Sequence, residues 1–214
     1  MIFNILSILN SPLSILNYPL SVIHFTLYSM TNSLEFLKQS IKNIRTTGAV
    51  VRSSKYLVKE MLKPVNFKKA KVIVELGAGD GVLTTEILDK MSPHTRLLCF
   101  EINSEFCKIL RGIEDSRFTL IEDSAENLQA HMKKRHIKEV DYIISAIPFV
   151  SLPDELAITI VECCQKALKK SGIYVQFHYS PLIKSMYERI FGNVDLNFVA
   201  LNIPPAFVMV CKKK

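Results

Sequence analysis

From Lys71 to the C-terminus, short apolar runs alternate with stretches of helical spacing. Lys71–Leu76, Arg96–Glu101, Phe118–Glu122, Val140–Ser145 and Ile173–Tyr179 are runs of the first kind. Val82–Met91, Ser104–Arg111, Ala125–Arg135, Asp154–Lys169 and Leu182–Phe191 fill the gaps with apolar residues three and four apart. Val194–Ala200 and Ala206–Cys211 close the chain as two further runs. Short apolar runs bounded by polar turns predict buried strands, and the helical spacing predicts helices between them. The alternation predicts an α/β fold, a parallel, doubly wound, seven-stranded sheet with helices on both faces. On such sheets ligands sit at the carboxyl ends of the strands, near the switch point.

The pattern before Lys71 is different. Asn32 and Glu35 form a capping-box pair, followed by a stripe of Leu34, Leu37, Ile41 and Ile44 with Phe36 beside it. Lys38, Lys42 and Arg45 lie off that stripe, and Gly48 ends the helix. A second helix, about Ser53–Leu62, carries Tyr56, Leu57 and Met61 with Lys55 and Lys59, and Pro64 stops it. Residues 30–70 thus form a basic, amphipathic, helical extension ahead of a domain at 71–214. Such helices can lie in an anionic membrane interface or pack over the domain that follows, and the two readings are compatible.

Residues 1–29 hold no Lys, Arg, Asp or Glu. Ser7–Leu13 and Ser14–Leu20 repeat with one difference, each copy with a proline. So literal a repeat predicts translated upstream sequence, with Met30 as the functional start. A membrane-adhering apolar tail is the other reading. The prolines weaken a transmembrane span, and the missing basic n-region argues against a secretory signal.

Charge sharpens this division. The net charge is +7, yet residues 30–71 carry ten Lys or Arg against two Asp or Glu, and residues 72–214 are nearly balanced. A local basic stretch points to a polyanionic partner, either nucleic acid or an anionic membrane surface. The five cysteines, Cys99, Cys107, Cys163, Cys164 and Cys211, form no Cys-x-x-Cys pair and no zinc spacing with histidine. They read as buried free thiols of a cytoplasmic protein, with no metal site.

The first strand runs into Glu75-Leu76-Gly77-Ala78-Gly79-Asp80-Gly81. Gly77, Gly79 and Gly81 let the backbone turn sharply and approach a ligand. A dinucleotide fingerprint would place its last glycine at 82, where the chain has Val82. The spacing instead resembles the first motif of the Rossmann-like S-adenosylmethionine methyltransferases, which implies S-adenosyl-L-methionine as cofactor. Glu101, ending the second strand, is placed to accept hydrogen bonds from both ribose hydroxyls. Asp123 with Ser124, after the third strand, resembles the family's acid-small pair that reads the adenine amine, with Glu122 as the neighbouring alternative.

The acceptor end of the site is less familiar. Ser145-Ala146-Ile147-Pro148-Phe149 resembles the motif of nucleic-acid amino-methylases, but Ser145 replaces their Asn or Asp. With Ile44–Val50, Ser53-Ser54, Gln176–Pro181 and Asn202–Ala206, this stretch is similar to the bacterial phospholipid N-methyltransferases, a family that shades into the rRNA adenine dimethylases. The resemblance implies an amino-phospholipid substrate such as phosphatidylethanolamine and a protein held peripherally at the inner face of the membrane, with no obligate protein partner evident. It adds Thr47, Gly48 and Ser145 to the cofactor-binding candidates. Tyr179 is the candidate for positioning the amine, and His178 is the base by residue type. Strand alternation sends these two to opposite faces. An RNA methyltransferase and a non-catalytic membrane- or RNA-binding module with a relic cofactor fold remain as alternatives.

Overall fold

The computed structural model describes residues 54–214. The apolar segment 1–29, the helix ending at Gly48 and the candidates Thr47 and Gly48 lie outside the described residues.

The first element, α1 (Lys55–Leu62), begins where Ser54 caps it, the serine hydroxyl accepting from the Leu57 N–H at 3.2 Å. It buries Leu57, Val58, Met61 and Leu62 and leaves Lys55, Tyr56 and Lys59 in solvent. Strands β1 (Val72–Leu76), β2 (Arg96–Phe100), β3 (Phe118–Ile121), β4 (Val140–Ser145) and β5 (Leu168–His178) follow, separated by α2 (Val82–Lys90), α3 (Ser104–Leu110), α4 (Leu128–Lys134) and α5 (Asp154–Ala167). Then come α6 (Lys184–Phe191), β6 (Asp195–Val199) and β7 (Ala206–Lys212).

The seven strands lie in the order β3-β2-β1-β4-β5-β7-β6. The first five are mutually parallel, as a βαβ alternation requires. The all-parallel expectation fails at the end of the chain. β7 runs antiparallel to both β5 and β6 and occupies the slot between them. The connection from β6 to β7 holds no helix, and a chain that short can return only in the opposite direction. The helix α6 carries the chain from β5 past that slot to the edge.

Both faces of the sheet are covered. On one, Leu128, Met132, Ile160, Val161 and Phe191 of α4, α5 and α6 pack on Val74, Leu76 and Ile143. On the other, Leu57, Met61, Leu83 and Ile87 of α1 and α2 pack on Ile73, Ile144 and Val175. All five strands of the parallel part end at one edge. The β6–β7 turn opens on that edge too, because Phe207 pairs with His178 at the end of β5. The five cysteines are free; all are buried except the half-buried Cys163.

Candidate active site

The turn after β1 has three left-handed glycines, with φ of +72° at Gly77, +57° at Gly79 and +83° at Gly81. A side chain at Gly77 would meet Ile147 Cγ1 at 3.1 Å and Ile147 N at 3.2 Å, so this position is closed by packing as well as by φ. At Gly79 an added Cβ would meet nothing within 4 Å. The turn therefore presents bare backbone over open space at its middle, the shape of a cradle for a ligand.

Glu101, directly after β2, is nearly buried. One carboxylate oxygen accepts from the Gly79 N–H at 2.8 Å, and the other from Ile102 N at 2.9 Å and Asn103 N at 2.8 Å. The acid thus locks the glycine turn to the end of β2. An ionised carboxylate offers about four acceptor sites, so three backbone donors leave capacity for a ligand hydroxyl.

Asp123 follows β3. It accepts from Ser124 N at 2.7 Å and Asn127 Nδ2 at 3.0 Å, and His131 Nε2 lies 2.7 Å from its other oxygen. The His131 bond, then Asn127 and the Ser124 N–H, hold its pKa down at about 2, so it is ionised at any physiological pH. Arg135 Nη1 donates to His131 Nδ1 at 3.1 Å. A guanidinium has no acceptor, so Nε2 is the nitrogen that carries the proton and donates to Asp123. His131 also stands edge-on to Phe100, with ring centres 5.5 Å apart. Sequence reasoning missed His131, which sits eight residues past Asp123 on α4. The alternative acid, Glu122, is engaged by Arg111 through two bonds of 2.9 and 2.6 Å.

Glu75 lies one residue before the turn, on the face packed under α2. It is fully buried, and neither its oxygens nor the buried Thr84 hydroxyl makes a hydrogen bond of normal length, although Thr84 and the Cys99 thiol lie beside the acid. Burial raises its pKa from 4.5 to about 8, Thr84 and Cys99 offset this in part, and Glu101 adds repulsion. At neutral pH Glu75 is therefore mostly a neutral acid.

Ser145 ends β4, fully buried, with its hydroxyl accepting the Ile147 N–H at 3.4 Å. Beside it Gln176 of β5 donates to the Ile147 carbonyl at 3.1 Å and the Phe177 carbonyl at 2.7 Å, while accepting from Tyr174 Oη at 3.2 Å. Gln176 therefore fixes the loop that faces Gly77. A glutamine inside an apolar strand was the signal for it in the sequence.

The two candidates at the end of β5 separate as alternation demands. Tyr179 lies half-buried on the α1 face, edge-on to Phe177 at 5.5 Å. Burial raises its pKa and the side chain of Asn202 partly counters this, so it remains a phenol. His178 faces the other way. It is buried, shares a 2.9 Å hydrogen bond with Tyr187 Oη and packs against Phe149. Desolvation pushes its pKa down to about 3. The reading of His178 as a base is corrected on these grounds: a neutral imidazole held in the core has no path to a substrate amine.

Comparison with known proteins agrees with this arrangement. A family model for ribosomal RNA adenine dimethylase matches residues 48–187. The ornithine lipid N-methyltransferase of Singulisphaera acidiphila is 29% identical over 180 residues, 83% of this chain and 94% of that one. Ribosomal RNA small subunit methyltransferase A of Thermotoga petrophila is 26% identical over 163 residues, 71% of this chain and 60% of its own length. Among solved structures, precorrin-6y C5,15-methyltransferase from Geobacter metallireducens GS-15 shares the fold, with a TM-score of 0.60 at 15% identity over 78% of this chain and 92% of that one. The residues at the carboxyl edge fit the cofactor of such enzymes: bare backbone at Gly79, a carboxylate after β2, an ionised carboxylate after β3 and, behind the turn, a buried acid without a hydrogen bond of normal length. The chain belongs to the ribosomal RNA adenine dimethylase family and is an S-adenosylmethionine-dependent methyltransferase.

Proposed function

We propose that this enzyme N-methylates the primary amine of phosphatidylethanolamine or a related amino lipid, working from the cytoplasmic face of a membrane. The observation that carries this reading is the end of β4. Ser145 stands where base methylases place an amide or carboxylate, and it is sealed in the sheet. Phe149, at the position of a base-stacking aromatic, is 2% exposed and packed against His178. Neither group of a base-reading pocket is presented to a flipped adenine. The near full-length similarity to an ornithine lipid N-methyltransferase supports the same class of substrate.

Bound S-adenosylmethionine supplies an electrophilic sulfonium methyl group. In this reading Glu101 holds the ribose hydroxyls and Asp123, oriented by His131, accepts from the adenine amine. The turn 77–81 carries the methionine end. Glu75, neutral and buried behind the turn, meets the ligand's ammonium group or a bridging water. Tyr179 positions the acceptor nitrogen. Its phenol accepts or donates one hydrogen bond, and its ring face favours the increasingly cationic product by about 0.5–2 kcal/mol. An ammonium cannot attack; the half-buried surroundings of Tyr179 favour its neutral form by desolvation, and the proton leaves to solvent water before the methyl moves to the freed lone pair. Holding nitrogen and methyl in line supplies much of the rate.

The test is expression of the full chain in a bacterial host that lacks methylated lipids, followed by lipid mass spectrometry. New mono-, di- or trimethylated amino lipids are expected. A folded protein with an unchanged lipid profile would overturn the reading. The rRNA alternative is favoured by the matching family model and predicts new dimethyladenine in rRNA instead.

A further inference from the structure

We propose that the β6–β7 turn and the start of α1 form a rim that docks on an anionic lipid bilayer; the proposal rests on the amino-lipid reading of the site beside it. Ile203 and Leu201, in that turn, are 86% and 64% exposed. Leu182, just after β5, is 55% exposed, and Val150, just after β4, is 45% exposed. The topology brings all four to the carboxyl edge, because β7 starts beside the end of β5 and β4 ends next to β5. Isolated exposed apolar side chains are ordinary on a protein surface, but a group gathered around the mouth of a binding site marks an interaction surface.

The turn is held in shape. Asn202, between the two most exposed residues, is itself buried. Its Oδ1 accepts the Ser54 N–H at 3.2 Å and its Nδ2 donates to the Pro204 carbonyl at 2.6 Å. Leu201 and Ile203 therefore flank a fixed anchor, and little ordering is lost when they leave water. The same bond seats the first turn of α1 at this edge. There Lys55 and Tyr56 are exposed, the ammonium 5.4 Å from the ring centre. An amphipathic aromatic and a long cation beside apolar side chains suit the head-group layer.

Charge selects the occupant. On α1, Lys55 and Lys59 are exposed, and the first turn of the helix, seated at the rim by Ser54, carries no acid. Lys68, Lys69 and Lys71 belong elsewhere: they precede β1 at the opposite edge of the sheet. Nucleic acid takes cations along a phosphate track, whereas an anionic bilayer takes cations and inserted apolar side chains together.

Flotation of the full-length protein with vesicles tests this. One set is a phosphatidylglycerol–phosphatidylcholine mixture and the other is phosphatidylcholine alone. Wild type is expected to prefer the anionic vesicles. The double variant Leu201→Ser/Ile203→Ser should weaken that binding by about tenfold or more, an effect that survives added salt because it is apolar. Lys55→Glu/Lys59→Glu should weaken it too, by a factor that shrinks with salt. Both variants should bind S-adenosylmethionine as wild type does in calorimetry. Unchanged vesicle binding by the Leu201/Ile203 variant overturns the proposal. The two readings fail separately. Rim-dependent vesicle binding without any methylated lipid sinks the amino-lipid reading alone. Methylated lipid made by a protein whose rim variants still float like wild type sinks the rim alone.

Discussion

The two edges of the sheet handle their polar residues in opposite ways. At the amino edge, Asp141 accepts from Lys71 N at 2.7 Å and Val72 N at 2.9 Å and pairs with Lys169. Burial opposes its ionisation, but Lys169 and the two N–H groups outweigh it, and its pKa is lowered. Nearby, Arg117 pairs with Asp115 and donates to the carbonyls of Met91 at 2.9 Å and Leu88 at 3.0 Å, closing the end of α2. At the carboxyl edge, Glu101 and Asp123 keep acceptor capacity, and Glu75 makes no hydrogen bond of normal length. Polar groups satisfied from within hold the fold. Those left partly unsatisfied at considerable cost are the ones that wait for a ligand.

The sharpest way to break this contrast is Glu75. Its folded pKa is raised from 4.5 to about 8, so between those values the native chain keeps a proton that the unfolded chain has lost. Its contribution is complete below pH 4.5 and is lost as pH rises toward 8. The cofactor-free melting temperature should fall over that window, and Glu75→Gln should flatten the fall. An equal slope in both proteins would show that Glu75 finds a partner after all.

Next in size is Asp141→Ala, which strands two backbone N–H groups and should cost about 2–4 kcal/mol in denaturant unfolding. Cofactor affinity of the remaining folded protein should hold, because the amino edge touches no ligand. Glu101→Gln reverses that pattern. Cofactor affinity should drop by about tenfold to a hundredfold in calorimetry, the loss of a charge-assisted bond, with a smaller change in stability. The mildest test is His178→Phe, which removes the 2.9 Å bond between the imidazole and the Tyr187 hydroxyl and should cost about 1–2 kcal/mol of stability. Its kcat/KM and the acid limb of its pH profile should match wild type, because the imidazole, with its pKa near 3, takes no part in proton transfer.

Much of this was legible in the sequence wherever the signal is local along the chain. The glycine turn, Glu101 and Asp123 each end or directly follow an apolar run, so reading the runs as strands placed both acids and the glycines at one edge. Alternation placed His178 and Tyr179 on opposite faces, but periodicity does not say which face meets the ligand. That depended on α6, whose Tyr187 claims the histidine. The antiparallel β7 was missed because its strand pattern is blind to direction; the short link from β6 decides it. His131 and Asn202 were not singled out for a role, since each works through a partner brought close only by folding: Asp123 across a helix turn and Ser54 from 148 positions away. The basic stretch before β1 looked continuous, and among the described residues the fold sets Lys55 by the carboxyl edge and Lys68, Lys69 and Lys71 before β1 at the other.

In the proposed function, the carboxyl edge delivers a methyl group to a lipid amine. Purified full-length protein with methyl-labelled S-adenosylmethionine, given phosphatidylethanolamine vesicles and rRNA in the same reaction, tests it most directly. Label is expected in the lipid fraction, and much less of it with Glu101→Gln at limiting cofactor. Label in the RNA with none in the lipid would contradict it.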